Sequence, residues 1–217
     1  MSKTDSQLKK DIDMELSWDP KINAAQIGVS VDKGAVSLRG VVDTYGEKWA
    51  AEDAVKRVNG VCAFAEELTV KVLDDDRHSD SEIAAAAQSA IKWDVFVPNT
   101  ITAKVDQGMV TLDGQVSWNY ERDSAERAIR NLAGVSAVIN NVTLKPSASA
   151  SQVKENVEAA LQRQAKADGK AIGITTSGGK VTLTGQAPTW QSIDDASAAA
   201  WATPGVTDVD DRLTVSY

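Results

Sequence analysis

Val36-Ser37-Leu38-Arg39-Gly40 recurs as Val110-Thr111-Leu112-Asp113-Gly114 and again as Val181-Thr182-Leu183-Thr184-Gly185, each copy about 70 residues after the last. Upstream of each copy stands a glycine, Gly34, Gly108 or Gly179, and before that an isoleucine, Ile27, Ile101 or Ile172. Downstream, Gly60-Val61 returns as Gly134-Val135 and Gly205-Val206. So many correspondences in one register define a threefold internal repeat.

Each copy opens with apolar residues at helical spacing: Leu8, Ile12 and Leu16; Ile83, Ala87 and Ile91; Val153, Val157 and Leu161. Polar residues fill the positions between them, which predicts an amphipathic helix with one buried stripe. Asp5, Ser79 or Asp80, and Ser149 or Ser151 are the candidate N-caps. The period then changes to two, with Ile27, Val29 and Val31 followed by Val36 and Leu38, and this predicts two half-buried strands. Asp32-Lys33-Gly34, Asp106-Gln107-Gly108 and Ser177-Gly178-Gly179 suit three-residue hairpins whose glycine takes the positive-φ position.

A second helix carries Ala51, Ala54, Val55 and Val58; Ala125, Ala128, Ile129 and Leu132; Ala196, Ala199, Ala200 and Trp201. Gly60, Gly134 and Gly205 stand where a glycine would end it. A last strand runs through Leu68 and Val70, Val142 and Leu144, Leu213 and Val215. The expected fold is α+β: three tandem α-β-β-α-β units, each a small mixed three-stranded sheet with two helices on one face. The expected boundaries are 1–73, 79–145 and 149–217. Units so small sit near the limit for a self-sufficient core, so packing between them is expected.

A Gly-x-Val-x-Leu-x-Gly strand, an alanine-rich helix, and Gly-Val followed by Val-x-x-x-Leu-x-Val resemble the BON domain, a family named for bacterial osmotically inducible and nodulation proteins. In this sequence the resemblance rests on Gly34–Gly40, Gly108–Gly114 and Gly179–Gly185 with their Gly-Val pairs. The motif marks turns and core rather than chemistry. What the resemblance implies is a bacterial, stress-associated, non-catalytic protein that binds phospholipid or acts on other proteins in a chaperone-like way.

The residues themselves offer little catalytic equipment, and no enzyme activity or cofactor is expected. His78, the only histidine, lies in a charged linker, and Cys62, the only cysteine, aligns with Ser136 and Thr207. No phosphate-binding loop, dinucleotide fingerprint or zinc spacing is present. Asp74-Asp75-Asp76 and Asp208, Asp210 and Asp211 lack the spacing and turn glycine of a calcium loop and read as solvated charge. With 23 Lys+Arg against 31 Asp+Glu the net charge is −8, which excludes nucleic acid as a partner and weakens attraction to anionic lipid.

No stretch reaches the length of a membrane-spanning helix. Met1–Lys10 has no signal-peptide core, and one cysteine permits no internal disulfide. Both points favour the cytoplasm, or the periplasm if the chain is a processed form.

Tryptophan is the remaining signal. Trp18 and Trp93 end the first helices of units one and two, where the third unit has Arg163. Trp118 and Trp190 fall between the second strand and second helix, and Trp49 and Trp201 lie on second helices. Tryptophan serves both at partner hot spots and at membrane interfaces, and it also seals small cores. Trp18, Trp93, Trp118, Trp190 and Trp49 are the candidate interaction surface, for a phospholipid surface or a client protein. Two other readings stand beside this one: a cytosolic ion- or small-molecule-binding protein, and a self-assembling scaffold that forms a homo-oligomer.

Overall fold

The computed structural model describes residues 3–71, 78–145, 153, 155–157, 159 and 172–215. Unit one comprises α1 (Asp5–Trp18), β1 (Ile27–Asp32), β2 (Ala35–Val42), α2 (Tyr45–Arg57) and β3 (Ala63–Val70). Unit two comprises α3 (Asp80–Trp93), β4 (Thr102–Asp106), β5 (Met109–Asp113), β6 (Gln115–Val116), α4 (Asn119–Arg130), β7 (Ala137–Asn140) and β8 (Thr143–Leu144). In unit three the described residues from Val153 to Ala159 are helical. They are followed by β9 (Ile172–Ser177), β10 (Lys180–Ala187), α5 (Trp190–Trp201) and β11 (Asp208–Val215). Leu161, Arg163, Ser149, Ser151 and residues 74–76 lie outside the described residues.

Each sheet is mixed. β2 pairs antiparallel with β1 and parallel with β3, and β10 stands in the same relation to β9 and β11. In unit two the central strand breaks at Gly114 into β5 and β6, which pair with β7 and β8. The motif leucines Leu38, Leu112 and Leu183 are all fully buried, each at the centre of its own apolar cluster. Leu8, Ile12 and Leu16 cover the first cluster, and Ile83, Ala87 and Ile91 the second.

The hairpin turns and the first helix cap differ from the expectation. Asp32 pairs with Ala35, and Asp106 with Met109, so two residues turn the chain instead of three. Lys33 and Gly34 both take positive φ, as do Gln107 and Gly108, the geometry of a type I′ turn that matches strand twist. In the third hairpin Gly178 has φ +60° while Gly179 does not enter the positive region, so the turn glycine there is Gly178. Nor is Asp5 a cap, since Thr4 caps α1; of the two candidates before α3, Ser79 is the cap. The neighbouring aspartates reach across to the turns instead. Asp5 accepts from Lys33 N and Gly34 N at 2.8 and 3.0 Å, and Asp80 accepts from Gln107 N and Gly108 N at 2.8 and 2.9 Å.

The second helices join the units. Superposing the repeats aligns Tyr45 with Asn119 and Trp190, Trp49 with Asp123 and Asp194, and Lys56 with Arg130 and Trp201. The start of α2 meets the end of α4: Tyr45 packs on the unit-two core, and Arg130 stacks on Trp49 with 3.8 Å from guanidinium carbon to ring centroid. The start of α4 meets the end of α5, where Arg122 lies 4.9 Å over Trp201. The start of α5 meets the end of α2: Trp190 meets Phe64 edge-on at 5.7 Å, and Lys56 pairs with Asp194 at 3.4 Å. All three contacts run in the same sense. The units therefore close into a pseudo-threefold ring within one chain.

Candidate functional site

The ring sorts the tryptophans into two groups. Trp49, Trp190 and Trp201 lie in seams between units, with Trp49 beneath Arg130 and 38% exposed. Trp18 and Trp93, each the last residue of its helix, are 75% and 81% exposed. The helix stripe explains this split, because both follow the last buried residue of the stripe by two and so point off the covered face. Trp118 is half exposed, at the N-cap position of α4.

Trp93 does not stand alone. The chain leaves α3 through Val95, 89% exposed, and Phe96, which meets the exposed Tyr120 edge-on at 6.3 Å. Asp94 fixes this hook, its Oδ1 accepting from Phe96 N at 2.8 Å, while Val97 just beyond is buried in the core. Trp93, Val95, Phe96 and Tyr120 thus project from one end of unit two.

Burial shifts the titratable groups in the seams. Burial raises the Tyr45 phenol, and Glu126 adds to the effect. Burial also lifts the Asp123 carboxyl above the usual carboxylate range, opposed by Arg122. It lowers the Arg130 guanidinium, and Arg127 reinforces that. For Lys56, burial works downward but Asp194 and Glu52 outweigh it, and the ammonium sits above its ordinary value.

The motif glycines serve the backbone. Gly34, Gly40, Gly60, Gly108, Gly114, Gly134, Gly185 and Gly205 all have positive φ, Gly179 being the exception given above. A Cβ on Gly114 would lie 2.5 Å from the Thr100 carbonyl oxygen, and one on Gly40 would overlap that of Gln26. Cys62 is partly buried, its thiol set against the Gly60 carbonyl at 3.3 Å. Asp208 pairs with Lys180, Asp210 with Arg212, and Asp211 accepts from Ser197. Among the described residues no group of three or more His, Cys, Asp or Glu is placed to hold a metal. No described helix is long and apolar enough to cross a membrane.

The BON-domain family model matches three times, over residues 4–71, 79–146 and 149–217. The chain belongs to the BON-domain family. It is similar to the osmotically-inducible protein Y of Escherichia coli (strain K12), 26% identical over an alignment of 149 residues that covers 65% of this chain and 73% of that one. The C-terminal domain of CdsD, a structural protein of the type III secretion system of Chlamydia trachomatis, aligns over 97% of this chain and 98% of its own. Its identity is 14% and its TM-score 0.26, too slight a likeness to bear on how the BON units are arranged.

Reading the sequence alone passed over Asn119, Arg122 and Arg130, all in seams. One signal was available for Asn119: two copies read Thr44-Tyr45 and Thr189-Trp190, whereas the second reads Trp118-Asn119. The aromatic residue has moved one position upstream.

Proposed function

We propose that this BON-domain protein is a non-catalytic, stress-associated binding protein that meets phospholipid surfaces by shallow insertion of the aromatic hook at the end of α3. The observation that carries this reading is the exposure of Trp93, Val95 and Phe96 side by side on one short connection, at 81%, 89% and 60%. Large apolar side chains held in water by a fixed turn lose free energy when a headgroup region or a partner covers them, roughly 25 cal/mol for each Å² of apolar surface. Tryptophan suits the lipid boundary because its ring is apolar and its N–H can stay hydrated. Trp18 offers a second, smaller foothold on unit one.

The net charge of −8 opposes anionic bilayers, so insertion into zwitterionic lipid is the form favoured. The same charge supports a second reading, in which the hook holds an exposed apolar segment of a client protein. Flotation with phosphatidylcholine vesicles, comparing the wild type with Trp93→Ser/Phe96→Ser, tests the first. Co-flotation that the double variant loses supports it, and absence of the wild type from the vesicle fraction at low salt refutes it.

A further inference from the structure

The three seams are built on one plan but are not equally filled. Tyr45 at the first position of α2 packs on the unit-two core, and Trp190 at the first position of α5 packs on the unit-one core. The equivalent residue of α4 is Asn119, and at that seam a cavity of about 330 Å³ opens between units two and three. The indole displaced one residue upstream, Trp118, becomes a wall of the cavity. Trp201 forms another, with Leu144, Pro204 and Val206 between them.

The polar groups there are incompletely matched. Asn119 is buried, and its Nδ2 donates to Asp123 Oδ2 at 2.7 Å, but its Oδ1 has no partner. One turn along α4, Arg122 Nε is likewise buried without a hydrogen bond, outside the lining of the cavity, with its guanidinium over the Trp201 ring. Both atoms lie behind the cavity wall, without accessible surface of their own. The volume falls within the range of small-molecule sites, and the walls combine two indoles with aliphatic side chains, as such sites commonly do.

We propose that this cavity binds a small planar aromatic molecule of about the size of indole. Such a ligand would restore to the third seam what Tyr45 and Trp190 supply to the other two: a ring filling the gap between units. Trp118 and the face of Trp201 that Arg122 does not cover would stack on it. The proposal does not rest on the aromatic hook, although Tyr120, which meets Phe96, directly follows Asn119 in α4.

The test is a titration of the full chain with indole, following the side-chain Nε1–H resonances of the six tryptophans by NMR, assigned through single Trp→Phe variants. Saturable shifts at Trp118 and Trp201, with Trp18 and Trp93 unmoved, are expected at concentrations of about 1 mM or below for so small a ligand. Asn119→Trp should then remove those shifts while raising the melting temperature, because its ring occupies the site. The inference is overturned if Trp118 and Trp201 stay unmoved at saturation, or if a folded Asn119→Trp responds as the wild type does. Should Asn119→Trp fail to fold, the wild-type titration alone decides.

Discussion

Arg130 stacks its guanidinium 3.8 Å from the ring centroid of Trp49, across the seam between units two and one. The ring face attracts the cation, and burial has stripped part of its water, as the lowered guanidinium pKa records. Arg130→Ala and Trp49→Leu should each lower stability. A double-mutant cycle in urea should give a coupling of about 1 kcal/mol, the size of a partly desolvated cation–π pair. Arg130→Lys should recover only part of it, because an ammonium cannot stack flat. Additive losses would show that the two residues act separately.

The seam between units one and three should be sensitive to alkali. Lys56 holds its proton more tightly folded than unfolded, with burial outweighed by Asp194 and Glu52. Its contribution is complete below the unfolded lysine pKa of about 10.4 and disappears as pH rises through the higher folded value. Melting temperatures recorded from neutral pH into that range should fall less steeply for Lys56→Gln than for the wild type. Parallel curves would contradict this.

Asp80 ties the start of α3 to the turn at Gln107 and Gly108 through two backbone N–H groups. Hydrogen bonds to a charged acceptor are the stronger kind, and Asp80→Ala should cost about 2 kcal/mol in chemical denaturation. Asp80→Asn, which can keep one oxygen acceptor, should cost less. Equal losses would assign the effect to the helix start alone.

Gly40→Ala should be among the most damaging single substitutions, about 3 kcal/mol or more, because the new methyl would overlap the Gln26 carbonyl at φ +149°. Gly28→Ala is the control, since a Cβ there meets only the Arg39 carbonyl at an ordinary 3.5 Å. The ratio of the two losses, read from unfolding midpoints, checks the assignment.

Trp93→Ser should leave stability within about 0.5 kcal/mol of the wild type, as expected for a surface position outside the core. A larger fall in melting temperature would mean that the indole supports the fold and is not held free for a partner.

Periodicity exposed the units because Leu38, Leu112 and Leu183 repeat a buried position that backbone geometry enforces in every copy. Turn type was less legible. Lys33 and Gln107 carry positive φ without being glycine, so a two-residue turn reads like a three-residue one with a single glycine at its end. The role of Asp5 was also hidden. Its neighbour Thr4 takes the cap, and the carboxylate bonds a turn far along the chain. The seams were the least visible, since nothing local in Arg130 or Lys56 tells of a partner in another unit. The exposure of Trp18 and Trp93 follows from helix phase, yet that phase alone could not distinguish them from the seam residues Trp49 and Trp201.

Ring closure also has a meaning in time. A chain emerging from the ribosome can join units one and two as soon as both exist, but Lys56 and Phe64 must wait for Asp194 and Trp190, which follow both units in the chain. Until then the end of α2 is an unfilled socket, matched in shape and charge to a unit not yet translated.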